Sequence, residues 1–106
     1  TGSELVYPAE VENVLLSHPA VNQCAVIGTP DPIYTERVTA IVVLKSGVEE
    51  TKALSNEINE FCRDRIASFK LPRRIDFVKE IPYVGSGKID KKKIREKYWK
   101  EERFNV

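Results

Sequence analysis

Two apolar runs separated by a proline-stiffened loop constrain this chain more than anything else in it. Residues 21–29 put Val21, Ala25 and Ile27 on one face of a strand, while Cys24 and Val26 make the other face largely apolar too. A strand that is apolar on both sides has no face to give to water, so the pattern predicts a strand central in its sheet. Residues 37–44 form the second strand, with Val38, Ala40, Ile41, Val42, Val43 and Leu44 in a nearly continuous apolar run. Between the two, Thr29-Pro30-Asp31-Pro32 reads as a rigid loop, because two prolines fix two φ angles and cannot donate ladder hydrogen bonds. Lys45-Ser46-Gly47 closes the second strand with a turn.

Helical spacing brackets these strands. Pro8 at a first helical position, with Val11, Val14 and Leu15 following, predicts a helix over residues 8–17 whose outer face, Glu10, Glu12 and Asn13, is polar; His18-Pro19 ends it. A second helix is expected over residues 51–66, where Leu54, Ile58, Phe61, Cys62 and Arg65 recur at helical intervals and face the sheet. Lys70-Leu71-Pro72 breaks the chain. Residues 74–79 then alternate Ile75 and Phe77 with Asp76 and Val78 as a shorter third strand. The last helix starts at Asp90, with Ile94 and Tyr98 as its apolar edge. This order predicts an α+β fold: a small two-layer domain with a short, mainly antiparallel three-stranded sheet and helices packed on it. A chain of 106 residues suffices for one domain with a modest core.

Several function classes drop out on composition. Cys24 and Cys62 share no metal-ligand or redox spacing with each other or with His18, so two buried free thiols and no metal site are expected. His18 reads as a capping or surface residue and not as a base. No apolar run approaches ~20 residues and no signal-peptide pattern opens the chain, which predicts a cytoplasmic protein without a membrane span. The net charge of +1 hides a division: residues 1–60 carry three basic side chains against nine acidic, and residues 61–106 fourteen against seven. The C-terminal half is therefore the half that faces anions.

Within that half, Gly85-Ser86-Gly87-Lys88-Ile89-Asp90 is the stretch with the look of a tool. A single lysine follows residues too small to shield it; Gly85 and Gly87 can take positive φ, Pro82 stiffens the entry, and Asp90 can cap the following helix. A phosphate-binding P-loop is excluded, because Pro82 stands where its first glycine belongs and Ile89 where a Ser or Thr would hold magnesium. Taken alone, the stretch reads more readily as a surface turn with a solvated lysine, since most turn lysines have no task. Lys91, Lys92 and Lys93 sit in the first helical turn, where the dipole disfavours cations. They read as a solvated face or as an attractor of phosphates or of acidic residues on another domain.

Four motifs in order carry a resemblance. Tyr7-Pro8-Ala9-Glu10-Val11-Glu12, then Pro30-Asp31-Pro32 with Glu36, then Phe69-Lys70-Leu71-Pro72-Arg73, then Ile81-Pro82 leading to Gly85-Ser86-Gly87-Lys88 resemble the C-terminal domain of the AMP-forming acyl-CoA synthetase superfamily. That superfamily also contains peptide-synthetase adenylation domains and luciferase. The resemblance covers residues 4–97, and Thr1-Gly2-Ser3 has the character of a cloning remnant, which would set the domain at residues 4–106.

The resemblance implies a two-step ligase. A carboxylic acid and ATP, with Mg2+, give an acyl-adenylate and pyrophosphate; the thiol of CoA then displaces AMP. A large N-terminal domain would hold the substrates, and the small domain would swing between two orientations as a lid. Lys88 matches the lysine that reaches into the adenylation site, within the loop Gly85, Ser86 and Gly87, and its exposure there would leave it open to acetylation. Glu4, Leu5 and Val6 match the segment that lines the approach of CoA. The alternative acceptor is the pantetheine of a carrier protein, although Phe61-Cys62-Arg63 and Phe69-Lys70-Leu71-Pro72-Arg73 resemble acyl-CoA or aryl-CoA ligases more. Thr35 before Glu36, Tyr83-Val84 before the glycine loop and Ser3 all depart from common family residues. A rival from another class is a small nucleic-acid-binding domain with Tyr98 and Trp99 as stacking residues on the basic helix, but a nearly neutral chain with four ligase motifs disfavours a nucleic acid partner.

Overall fold

In the computed structural model, which describes residues 8–31, 33 and 35–104, the chain runs α1 (Pro8–Leu16), β1 (Val21–Asp31), β2 (Thr35–Leu44), α2 (Lys52–Arg63), a 3-10 turn (Ser68–Lys70), β3 (Arg74–Phe77) and α3 (Lys91–Phe104). The α+β class and the three-stranded sheet are as expected. Residue 51 caps α2, its threonine Oγ1 accepting the Leu54 N–H at 3.0 Å, and Asp90 caps α3, its Oδ1 accepting the Lys93 N–H at 3.0 Å.

Among the described residues the sheet order is β1-β2-β3, so β2 is central and β1 lies at an edge. This corrects the expectation that β1 is central, and the reason is visible in the packing. Alternate residues of both long strands are buried on opposite faces. Val26, Ala40 and Val42 pack with Val11 and Leu15 of α1 and with Ile58 and Cys62 of α2. On the other face Ala25, Ile27, Ile41 and Val43 pack with Ile81 and with Ile94 of α3. Helices thus cover both faces, giving three layers instead of the two expected, and an edge strand covered on both sides carries the same apolar signature as a central one.

The edge position also explains β1's length. The strand runs through Pro30, paired with Glu36, to Asp31, where a rigid loop was expected to have begun. Proline lacks a donor, which an edge strand tolerates because its outer side needs none. β1 and β2 pair antiparallel from Val21 with Leu44 to Asp31 with Thr35, whereas β3 joins β2 in parallel over Thr39–Arg74 to Val42–Phe77. The parallel pair follows from α2, which supplies the long crossover such a connection requires.

Several side chains sit elsewhere than expected, Val21 among them: it packs with Cys24 and Val26 and not with Ala25 and Ile27, because the register shifts between Val21 and Gln23. His18 is buried, 3% exposed: its Nδ1 accepts the Ala20 N–H at 3.0 Å and its Nε2 lies 2.8 Å from Glu57 Oε2. An acceptor at Nδ1 places the proton on Nε2, so the ring links α1's end to α2 and packs edge-on against Phe61. Arg65 lies beyond the end of α2 and is exposed, its guanidinium 3.5 Å from the Phe61 ring centre, so it stacks on the apolar stripe from outside. Glu12, expected on a solvated face, turns inward, as described below. Cys24 and Cys62 are buried free thiols, as expected. Burial, reinforced by Glu12, pushes the Cys24 thiol up to about 12, and burial raises Cys62 as well, so both stay protonated and unreactive.

Candidate functional site

Residues 82–90 form a short hairpin held by one bridge and three backbone hydrogen bonds. Tyr83 and Ile89 make an isolated antiparallel bridge, the Val84 N–H donates to Lys88 O at 2.8 Å, the Gly87 N–H to Val84 O at 2.9 Å, and the Asp90 N–H to Pro82 O at 2.8 Å. Gly87 takes φ +89°, the left-handed region that costs an L side chain roughly 1–2 kcal/mol. Gly85 does not adopt positive φ, so only one of the two candidate glycines uses that freedom. A Cβ at Gly85 would meet nothing within 4 Å. Nothing among the described residues therefore requires a glycine at this position.

Lys88 points outward because Ile89 points inward. Ile89 packs on the second core cluster with Ile81 and Ile94, and in extended backbone the preceding side chain takes the opposite side. Lys88 is exposed, and among the described residues it makes no ion pair. Gly85, Ser86 and Gly87 are exposed beside it, flanked by Tyr83 and Val84, 46% and 41% exposed. The hairpin therefore offers one cation amid small and apolar groups, a surface suited to being covered.

The base of the hairpin is held from two sides. Asp90 bonds through its backbone to Pro82 and through its carboxylate to the first turn of α3. Next to it, the Lys91 ammonium lies 2.7 Å from Glu12 Oε2, which also accepts the Val26 N–H at 2.8 Å. Glu12 thus caps the free edge of β1 and pins the start of α3 to α1. Lys91 is part of the internal scaffold, while Lys92 and Lys93 are the exposed members of the lysine run. Nothing in the sequence marked Glu12 for this task, since its partners lie 14 and 79 positions away.

The other candidate residues are not gathered around Lys88. Glu4, Leu5 and Val6, the CoA-approach segment, lie outside the described residues. Tyr98 and Trp99 are half-buried: the Tyr98 hydroxyl donates to Asp76 Oδ2 at 2.5 Å, and the Trp99 indole nitrogen is buried. Among the described residues no group of three His, Cys, Asp or Glu side chains could hold a metal ion, and no helix is long and apolar enough to cross a membrane.

Comparison with known proteins gives one consistent picture. The model of the AMP-binding enzyme C-terminal domain matches residues 10–88, a span that ends on Lys88. A feruloyl-CoA synthase of Amycolatopsis sp is 41% identical over 98 residues, covering 92% of this chain and 19% of that protein. A fatty acid–[acyl-carrier-protein] ligase, ScoC of Streptomyces coeruleorubidus, is 41% identical over 96 residues, covering 91% of this chain and 18% of that protein. The crystal structure of the anthranilate CoA ligase AuaEII in complex with anthranoyl-AMP superposes with a TM-score of 0.86 at 39% identity, over 92% of this chain and 19% of that one. The chain spans less than a fifth of the length of the curated relatives it matches.

Proposed function

The chain belongs to the AMP-binding enzyme C-terminal domain family, and from that premise we propose that it is the mobile lid of an AMP-forming acid–thiol ligase, with Lys88 as the residue it contributes to adenylation. The observation that carries this reading is the exposed ammonium of Lys88, which makes no ion pair among the described residues, on a hydrogen-bonded hairpin at the position where the family match ends. In the first step a carboxylate oxygen attacks the α-phosphorus of ATP, and the bond to the bridging oxygen breaks as pyrophosphate leaves. Two anions must approach each other, so an ammonium touching both offsets their repulsion where charge concentrates. A unit charge at 4 Å is worth ~1 kcal/mol in bulk water but ~4 kcal/mol at an effective dielectric near 20. The first figure is about fivefold in rate and the second roughly a thousandfold. Lys88 therefore matters when a larger domain closes over it, and the apolar flanks Tyr83 and Val84 would help exclude water there.

In the second step the thiol sulfur attacks the acyl carbon and AMP leaves with the bonding electron pair. CoA is the acceptor we favour, with Glu4, Leu5 and Val6 near its path; the name of ScoC supports a carrier-protein pantetheine as the second reading. The substrates are a carboxylic acid, ATP and the thiol, with the N-terminal domain as the partner that binds them. The Mg2+ that accompanies ATP would be held largely by the phosphates, together with the larger domain. A soluble, cytoplasmic setting suits this chemistry.

Separating the domains tests the proposal. The 106-residue chain alone should show no ATP–pyrophosphate exchange with any carboxylic acid, and the full-length protein should lose the exchange when these residues are deleted. Exchange by the isolated chain, or undiminished exchange after deletion, would overturn it. Supplying CoA and a holo carrier protein in parallel then decides the acceptor.

A further inference from the structure

On the face of the sheet away from α1 and α2, a cleft of about 510 Å³ opens between β3 and α3. That volume lies within the range of small-molecule sites. Its floor is apolar and already desolvated: Ile41, Ile81 and Ile94 are 2%, 5% and 7% exposed, and Val78 packs with them. One wall is a closed polar network in which Asp76 Oδ1 accepts from Arg74 Nε at 2.8 Å and Oδ2 from the Tyr98 hydroxyl at 2.5 Å. The Arg74 guanidinium also lies 5.6 Å from the Tyr98 ring centre. With both oxygens bonded, Asp76 is a fixed wall and not a free charge facing the cleft.

The rim on α3 is different. Lys93 and Lys97, one helical turn apart on the same side, line the cleft, are exposed, and make no ion pair among the described residues. Residues at i and i+4 stand about 5–6 Å apart, so the two ammonium groups repel each other until an anion comes between them. Over residues 91–100 the helix carries six basic side chains and one acidic, which adds a field of the same sign. Glu80 lines the cleft as well and is its one acid outside the network, disfavouring a fully charged polyanion and favouring a ligand that is charged at one end.

We infer that this cleft binds a small amphipathic anion, an aromatic or short alkyl body carrying one phosphate or carboxylate, with the body on the isoleucine floor and the charge between Lys93 and Lys97. The site is distinct from Lys88, whose side chain does not line it, although Pro82 belongs both to the cleft and to the base of the Lys88 hairpin.

The test is a titration of the 15N-labelled chain, followed by amide shifts, with phenyl phosphate, benzoate, phenol and inorganic phosphate. Phenyl phosphate or benzoate should shift Val78, Ile81, Lys93, Ile94 and Lys97 saturably with a Kd below about 1 mM, and phenol and inorganic phosphate should bind at least roughly tenfold more weakly. Tighter binding of phenyl phosphate assigns a phosphate ester, tighter binding of benzoate a carboxylate, and equal binding a site that reads charge alone at its rim. The double variant K93E/K97E should weaken binding at least about tenfold while the His18 and Gly87 resonances stay in place, since both lysines are exposed. Equal affinity for inorganic phosphate and phenyl phosphate, shifts that do not saturate, or binding unchanged in K93E/K97E would overturn the inference.

Discussion

Glu12 of α1 holds Lys91 of α3 at 2.7 Å through Oε2, the oxygen that also accepts the Val26 N–H of β1. One carboxylate thereby joins three elements beside the hairpin that carries Lys88. The two roles have different energetics. The ion pair is partly open to water, with Lys91 37% and Glu12 21% exposed, so it is worth about 1 kcal/mol or less. Leaving the Val26 N–H without an acceptor costs about 1–3 kcal/mol.

Glu12→Gln keeps an acceptor for Val26 and loses only the charge, so it should cost about 1 kcal/mol or less. Glu12→Ala loses both and should cost about 1–4 kcal/mol. Urea midpoints at constant slope measure the difference; equal costs for the two variants would mean that the backbone bond contributes nothing.

Lys88→Ala should separate the two half-reactions of the full-length ligase. Acyl-adenylate formation should fall by about a thousandfold, the order of a covered unit charge. Thioester formation from a supplied acyl-adenylate should stay within roughly tenfold, since thiol attack needs no charge from Lys88. Substitutions at Glu4, Leu5 and Val6 should do the reverse. Each step is assayed alone, and equal losses in both for Lys88→Ala would refute the assignment of Lys88 to the first.

Gly87→Ala puts a Cβ on a residue at φ +89° and should cost roughly 1–2 kcal/mol or reshape the hairpin. Gly85→Ala, where φ is not positive and the added atom meets nothing, should cost less than about 0.5 kcal/mol. Hydrogen exchange at the Val84 and Gly87 amides reports the difference directly, and comparable protection in both variants would show that the left-handed turn is not what holds Lys88 in position.

The Cys24 thiol, raised from 9.0 to about 12 by burial, holds its proton in the folded state over a range where the unfolded chain has lost it. Below pH 9 the two states bind the same proton and stability is unaffected by this group. Between pH 9 and 12 the unfolded state is favoured progressively, so stability should fall as pH rises. Denaturation midpoints across that window, compared with those of Cys24→Ala, measure the contribution. At pH 8 the folded chain should react with iodoacetamide at neither cysteine, and rapid native-state alkylation would contradict the burial of both thiols.

What the sequence determined by itself is the set of local structures and the chemistry they present. Helical spacing, the Asp90 cap, the apolar runs and the glycine–lysine turn are legible because their causes lie within a few residues of one another. Lys88 is legible as an exposed side chain for the same reason, since the small residues before it cannot shield it, but only the four-motif resemblance gives it a task. What only the tertiary structure decided is which surfaces those elements cover. The apolar pattern of β1 is the same for a central strand and for an edge strand covered on both faces, so its place required the register with β2 and the positions of α1 and α3. His18 was read as a surface cap because its partner Glu57 lies on another helix, and Glu12 as solvated because Val26 and Lys91 reach it only after the sheet and α3 have formed. Burial and pairing of a polar side chain are properties of distant partners, and a chain read locally contains no record of the distance between them.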